Sequence, residues 1–293
     1  MLLKIVFLAF GVALGLSGLT YAFFWFETAS SPHRAYLDRL FRGKTGRALT
    51  RLIFSSAGSL ILVIAFSPFA FWRKLWKASP DPACTLPPVI LVHGLYHNAS
   101  AWVLYRWWLR RAGFRNVYAF SYNSWTSSFH DLLERLDLEV AKVTELPEGR
   151  RVMLVGHSLG GLLSRAYVEC AGNTGRIQAV AALGAPHQGS KLAALGLGSL
   201  AQSLIYRGPL ISRLEEEARK TDVPCLSISS PVDNMVLPNN ALRPPHAGWE
   251  YRESAPVSHV GMLYHRPTAI IVVDYLLSHS ERRAFGQGSK TKE

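Results

Sequence analysis

The segment Gly156-His157-Ser158-Leu159-Gly160 follows the apolar run Val152-Met153-Leu154-Val155 directly and precedes a helical pattern from Leu162 to Cys170. That order demands a strand, a sharp turn and a helix, with Ser158 at the apex. A side chain at 156 or 160 would collide with the adjoining strand or helix, so glycine stands at both shoulders. The serine backbone must be strained to push its hydroxyl out of the turn, and a hydroxyl so presented is a nucleophile if a base can reach it. The five-residue pattern alone is common; its position between strand and helix is what gives it weight.

Other parts follow in a fixed order. Upstream, Pro88-Val89-Ile90-Leu91-Val92 is a continuous apolar run, as expected of a strand buried on both faces, and it ends in His93-Gly94-Leu95. Gly94 lets the next loop bring a backbone N–H toward the serine. The Leu95 and Leu159 amides together form a candidate oxyanion hole, with His93 a hydrogen-bonded support. Downstream, Val223 to Ile228 reads as another strand, and the turn after it carries Asp233. His259 comes next, in Ser258-His259-Val260-Gly261, ahead of an apolar helix from Thr268 to Leu277. The reading is therefore Ser158 as nucleophile, His259 as base and Asp233 as the acid that orients it.

With these residues the chain resembles the α/β-hydrolase superfamily and, within it, bacterial lipases and esterases. The matching stretches are His93-Gly94-Leu95, Gly156 to Gly161, and Gly184-Ala185-Pro186-His187-Gln188-Gly189-Ser190, spread over roughly 86–280. The last is similar to the Pro-His-x-Gly-Ser/Thr segment after the nucleophile helix in many lipases. The resemblance implies a mostly parallel sheet with helices on both faces, a Ser-His-Asp triad and ester hydrolysis without a cofactor. Some lipases that hold structural calcium carry an aspartate just after the histidine. Val260 and Gly261 stand there, so no metal site is carried over. The same triad serves acyl transfer or amide cleavage, and a third reading is a membrane scaffold with a vestigial elbow.

Each assignment has a rival. His157 and His187 flank the serine as packing residues, because the base arrives from the far end of the sheet. His246 and His265 lie close to His259 in sequence. Asp222 precedes its strand and Asp274 falls inside the last helix, so neither projects from a strand's carboxyl end as Asp233 does. Asp233-Asn234 also reads as a plain turn, since both residues favour turns.

Two uncharged stretches precede this domain. Ile5 to Phe26 spans 22 residues and Leu52 to Trp72 spans 21, each long enough to cross about 30 Å of hydrocarbon as a helix. Aromatic residues cluster at their ends, including Tyr21, Phe23 to Phe26, Phe69, Phe71 and Trp72, as at a water–lipid boundary. The first is too long for a signal peptide core and lacks a cleavage site. Between the stretches stand Arg34, Arg39, Arg42, Lys44, Arg47 and Arg51; Lys4, Arg73, Lys74 and Lys77 lie on the other side. That bias predicts a cytoplasmic loop, with the amino terminus and catalytic domain outside the cytoplasm of a bacterial inner membrane.

Of the net charge of +12, residues 1–77 carry +8 and the remaining 216 only +4. The high pI therefore reports a membrane-flanking basic segment, and no nucleic-acid partner is expected. Cys84, Cys170 and Cys225 are isolated and form no framework. The expected organisation is an anchor at 1–77, a proline-rich linker at 78–85, a catalytic domain at 86–280 and a polar tail at 281–293. Strands are expected at 88–93, 116–122, 151–155, 177–183 and 223–229, with a short one near 249–253. Helical patterns at 100–112, 129–145, 159–171 and 268–279 alternate with them.

Two regions bear on substrate. Residues 191–214 carry nine branched aliphatic residues broken by Gly196, Gly198 and Gly208, which suits either a lid or an amphipathic helix that closes the core. Tyr96, Trp102, Tyr105, Trp107 and Trp108 are more aromatics than one helix face buries, so some are expected to line the pocket or touch lipid. The expected partner is a lipid or other ester in a membrane.

Overall fold

Six short aliphatic runs pair in parallel into one sheet: β1 (Val89–Val92), β2 (Val117–Phe120), β3 (Val152–His157), β4 (Ile177–Leu183), β5 (Cys225–Ser229) and β6 (Trp249–Glu253), in the order β2-β1-β3-β4-β5-β6. Every residue of β1, β3 and β5 is buried, whereas the edge strand β2 is partly exposed at its centre and β6 has no buried residue. Continuous apolar runs suit central strands covered on both faces. The computed structural model describes residues 2–72, 76, 80–145, 150–172 and 174–280. Arg73, Lys74 and Lys77, the start of the linker at 78–79, and the tail at 281–293 lie outside the described residues.

Two hydrophobic layers cover the sheet. On one face α5 (Phe129–Thr144) and α6 (Leu159–Glu169) pack Leu132, Leu136, Val140, Leu162 and Leu163 onto Ile90, Leu154 and Val180. On the other, α4 (Val103–Arg111) and α9 (Arg266–Ser280) pack Tyr105, Leu109, Val272 and Leu276 onto Leu91, Val155 and Leu226. The helix α5 begins with a reciprocal cap: Ser128 accepts from the Asp131 N–H and Asp131 accepts from the Ser128 N–H. Residues 99–102 form a 3₁₀ turn ahead of α4, where a single helix from 100 to 112 was expected. Asn98 caps that turn by accepting from the Ser100 N–H, which sets the helix start later.

The amino-terminal region forms a helical hairpin: α1 (Leu2–Ala29), a short α2 (Pro32–Leu40) and α3 (Thr45–Phe66), with a 3₁₀ turn at Ser67–Phe71. Both long helices are apolar enough and long enough to cross a membrane. Pro68, which lacks an N–H and crowds the preceding turn, ends α3 as an α-helix. Pro32 at the first turn of α2 starts a helix inside the expected loop.

The hairpin meets the sheet domain at its loop end and along α3. At the loop end, Leu37 of α2 is fully buried in a cluster with Tyr21, Phe24, Leu52, Val232 and Leu237. His33 Nε2 donates to the Pro231 carbonyl at 2.7 Å, Tyr36 bonds the Glu253 carboxylate, and Lys191 pairs with Glu27 at 2.8 Å. At the other end the rings of Phe66 and Tyr264 meet at 5.9 Å. The proline-rich segment is likewise stitched down. The Asp81 N–H donates to Asn116 Oδ1 at 2.8 Å, and Arg150 donates to the Cys84 carbonyl at 2.7 Å.

The orientation expected from charge separates the basic loop from the sheet domain, whereas the loop end of the hairpin touches that domain. Segments in van der Waals contact cannot stand on opposite faces of a hydrocarbon layer about 30 Å thick. The packed hairpin therefore predicts that the basic loop and the sheet domain are accessible from one side. In membrane vesicles of a single orientation, cysteines introduced as Lys44→Cys and Glu216→Cys, measured against the wild-type background, are expected to react together with an impermeant maleimide. Labelling of one and protection of the other contradicts the packed hairpin.

Candidate functional site

Ser158 stands between β3 and α6 with φ 55° and ψ −124°, a left-handed conformation that costs a residue with a side chain on the order of 1–3 kcal/mol. Its N–H donates to the Leu183 carbonyl at 2.8 Å, which fastens the turn to β4. The shoulders leave no room for a methyl group. A Cβ at Gly156 would lie 2.3 Å from the Gly160 carbonyl oxygen, and one at Gly160 would lie 2.0 Å from that of Val92. Three backbones meet there, and the strain at Ser158 is held by that crowding.

The loop after β1 comes to the same point. A Cβ at Gly94 would lie 3.0 Å from Ser158 Cβ, so the His93-Gly94-Leu95 bend passes directly over the serine. Leu95 lines the same cavity as Ser158, and Leu159 is the first residue of α6, where an N–H has no acceptor within the helix. His93 is fully buried. Its Nδ1 donates to the Gly94 carbonyl at 2.8 Å, its Nε2 accepts from the Tyr122 N–H at 3.1 Å, and its ring stacks on Tyr122 at 4.0 Å. Both ring nitrogens are used only by the neutral tautomer, and burial pushes the pKa down to about 3.

Asp233 follows β5 and is fully buried. Its Oδ1 accepts from the Met235 and Val236 N–H groups at 2.9 and 3.0 Å, and its Oδ2 faces His259 Nδ1 at 2.7 Å. The Asx turn and the acid are thus one feature: the turn's own amides hold the carboxylate that addresses the imidazole. Gly184, at φ 54°, lies against both groups; a Cβ there would sit 3.2 Å from Asp233 Oδ2 and from the His259 ring. Ser158 and His259 line one cavity of about 160 Å³, walled by Leu95, Tyr96, Leu192, Leu204, Met235, Val236 and Val260.

The rival residues take other roles, although His157 also lines the cavity. His157 donates from Nε2 to the His259 carbonyl at 3.1 Å, so it supports the histidine's backbone. His187 bonds Ser227 Oγ at 3.1 Å behind β5, and His265 meets Thr268 Oγ1 at 2.8 Å at the start of α9. His246 lies beside Trp249, away from the cavity. Asp222 is exposed before β5, and Asp274 faces a depression next to Trp107.

A match to the alpha/beta hydrolase family covers residues 89–284. The chain belongs to that family. No protein of curated function matches the sequence. Among solved structures, the hydrolase is similar to the mature Bacillus licheniformis lipase BlEst2, at 20% identity and TM-score 0.55, over 68% of this chain and 94% of that one. It is also similar to the Paleococcus ferrophilus monoacylglycerol lipase, at 21% identity and TM-score 0.52, over 66% and 96%. Legionella pneumophila phospholipase PlaB aligns at 16% identity and TM-score 0.53, over 67% of this hydrolase and 60% of that protein.

Residues 191–214 contribute to both the core and the cavity wall. Leu200, Leu204, Ile211 and Leu214 close the core, while Leu192, Ala193, Gly196, Ala201 and Leu204 line the cavity. The stretch breaks into a 3₁₀ turn at Lys191–Leu195 and short helices α7 (Ser199–Ser203) and α8 (Pro209–Glu217), because Gly196, Gly198, Gly208 and Pro209 interrupt it. Leu195 and Leu197 are exposed at the rim, where the Leu197 carbonyl accepts from Tyr96 OH at 2.5 Å. Of the five aromatic residues singled out in the sequence, only Tyr96 reaches the cavity; Trp102 and Tyr105 are core.

Three contributors were not singled out as site residues from sequence. His97 lines the cavity with its Nδ1 buried and unbonded, and burial lowers its pKa to about 4. Asn234 accepts from the His259 N–H at 3.1 Å. Buried Arg165 joins Glu169 at 2.9 Å and the His187 carbonyl at 2.7 Å, tying α6 to the loop after β4. An arginine and a glutamate four apart in an otherwise apolar helix was the available signal for the last.

The buried imidazoles fix the response to acid. His93, His157 and His187 are all held below their ordinary range, chiefly by burial. Below about pH 6.5 the unfolded chain takes up protons that the folded chain refuses. Stability is therefore full above pH 7 and declines as the pH falls, by about 1.4 kcal/mol per pH unit for each such histidine, until the folded-state value is reached. The melting temperature of the full chain in detergent is expected to drop markedly between pH 7 and pH 5. An unchanged value would mean that these rings are not buried neutral.

Proposed function

We propose that the protein is a serine hydrolase of carboxylic esters that works on lipid esters at a membrane. One observation carries this reading: a serine strained out of its turn shares an apolar cavity with an imidazole whose far nitrogen lies 2.7 Å from a buried carboxylate. In the proposed reaction Ser158 Oγ attacks the ester carbonyl as His259 Nε2 takes its proton. Asp233 keeps the proton of the imidazole on Nδ1 and stabilises the imidazolium. The Leu95 and Leu159 N–H groups receive the oxyanion. His259 returns the proton to the departing alcohol, and water activated by the same imidazole releases the acid and restores the serine.

The lipid part of the reading is supported by the aliphatic cavity wall and by the hairpin's outward surface. Phe7, Leu8, Phe10, Leu16, Leu19, Phe54 and Ile64 are exposed there, an apolar area of the kind that lipid covers. Lipases among the structural neighbours point the same way. A hairpin seated in the bilayer would keep lipid-derived esters at high local concentration beside the site. Each acyl CH₂ that enters the cavity adds about 0.8 kcal/mol of binding until the wall ends.

Two measurements test the proposal on the full chain in detergent. A fluorophosphonate probe is expected to label the wild type and not Ser158→Ala, whose turnover should fall by several orders of magnitude with the fold intact. In a p-nitrophenyl ester series, kcat/KM should rise from acetate toward decanoate. A steady fall along the series would leave an esterase of small substrates. Product analysis with an added acceptor alcohol separates hydrolysis from acyl transfer, and faster transfer would replace the hydrolase reading.

A further inference from the structure

The hairpin does more than lie beside the sheet domain; it reaches the loop that carries the acid. Tyr21 OH donates to the Val232 carbonyl at 3.2 Å, and His33 donates to that of Pro231 at 2.7 Å. On the other side of Asp233, Asn234 is almost wholly buried. Its Nδ2 donates to Thr20 Oγ1 at 2.7 Å, and its Oδ1 accepts from the His259 N–H at 3.1 Å. Thr20 Oγ1 in turn donates to the Ser17 carbonyl at 3.1 Å, so its lone pairs face the amide. A continuous chain of directed bonds thus runs from α1 to the backbone of the candidate base. Ser17 Oγ meets Ser56 Oγ at 3.1 Å, which ties α1 to α3. Ser59 of α3 lies against Gly261, two residues past His259.

We infer that the apolar hairpin is part of the active site: Thr20, acting through Asn234, is a positioning residue that fixes where His259 stands relative to Ser158. The inference rests on the proposed serine reaction for its kinetic consequence. An asparagine amide can rotate, and its oxygen faces the His259 N–H only while its NH₂ has an acceptor on the other side. Thr20 supplies that acceptor. Without it the amide is left with an unmet buried donor, the histidine backbone loses a fixed partner, and the imidazole is free to shift. A displacement of an ångström is enough to cost a reaction of this kind up to a hundredfold.

The test uses the full chain in detergent. Thr20→Val keeps the shape and removes the acceptor; Thr20→Ser keeps the acceptor. Thr20→Val is expected to lower kcat roughly tenfold or more, with KM little changed, and Thr20→Ser to restore it. Asn234→Ala breaks the same chain from the other end, so the double variant with Thr20→Val should lose little beyond the single variants. Thr50→Val, an exposed threonine on α3 that bonds only the Gly46 carbonyl of its own helix, serves as the control and is expected to leave activity unchanged. A second readout needs no turnover: hydrogen exchange at the peptide containing His259 should speed up in Thr20→Val and not in Thr20→Ser.

Wild-type kcat in Thr20→Val, additive losses in the double variant, or unchanged exchange each overturn the inference. If Thr20→Ser fails to restore both readouts, helix packing and not the hydrogen bond is responsible, and the inference is likewise overturned. A wild-type chain inert to esters and probe whose exchange still responds to Thr20→Val would sink the proposed reaction and leave the positioning role standing.

Discussion

The arrangement around Ser158 depends on a backbone that could not hold its own conformation. A left-handed serine is unfavourable in isolation, so the surrounding structure must over-determine it. Here the Gly160 backbone presses against the end of β1, the Ser158 N–H is fixed to β4, and α6 starts immediately after. Each of these requires the sheet to be fully formed, with β1 and β4 flanking β3 in parallel register. The candidate nucleophile is therefore a property of the whole sheet, although one pentapeptide announces it.

The candidate acid and base are held in another way. Asp233 needs no strain; its own turn supplies two amides, and the turn's other residues are gripped from outside by α1 and α2. A burial-favoured apolar hairpin thus does a polar task. Its outward face is aliphatic and aromatic, while its inward face carries Ser17, Thr20, Tyr21, Thr28, Ser56 and Ser59, most of them buried. Polar side chains on an apolar helix are retained where they meet a partner, and here several of the partners lie on or beside the loops of the site.

Much of the sheet was legible because its strands are continuous apolar runs ended by glycine, proline or turn residues. Even β6, with its mixed composition, fell where Trp249–Glu253 indicated. Ser158, Asp233 and His259 stand as candidates for a different reason: chain order and position at strand ends constrain them. What could not be read was contact between distant segments. Nothing near Thr20 signals that it meets Asn234, and a membrane-crossing reading of α1 treats its hydroxyls as incidental. The charge bias behind the expected orientation is blind to contact in the same way. It counts residues near helix ends and holds no information on what the helices pack against. The composite role of 191–214 was half legible: glycines marked the breaks, but which leucines turn to the cavity depends on the turn after Gly189, where the backbone runs against Ile205.

The bond between Tyr21 and Val232 joins residues 211 positions apart. Closing so long a loop carries an entropic cost that grows slowly with length but delays the contact in time. At synthesis rates of about 5–20 residues per second, α1 leaves the ribosome some ten seconds or more before its partner loop exists. Through that interval an apolar helix pair with buried hydroxyls has no protein to lie against, and a lipid phase is the natural place for it to wait. For a hairpin that enters a membrane first, the final assembly of the site would be a docking event between that hairpin and a sheet that folds last.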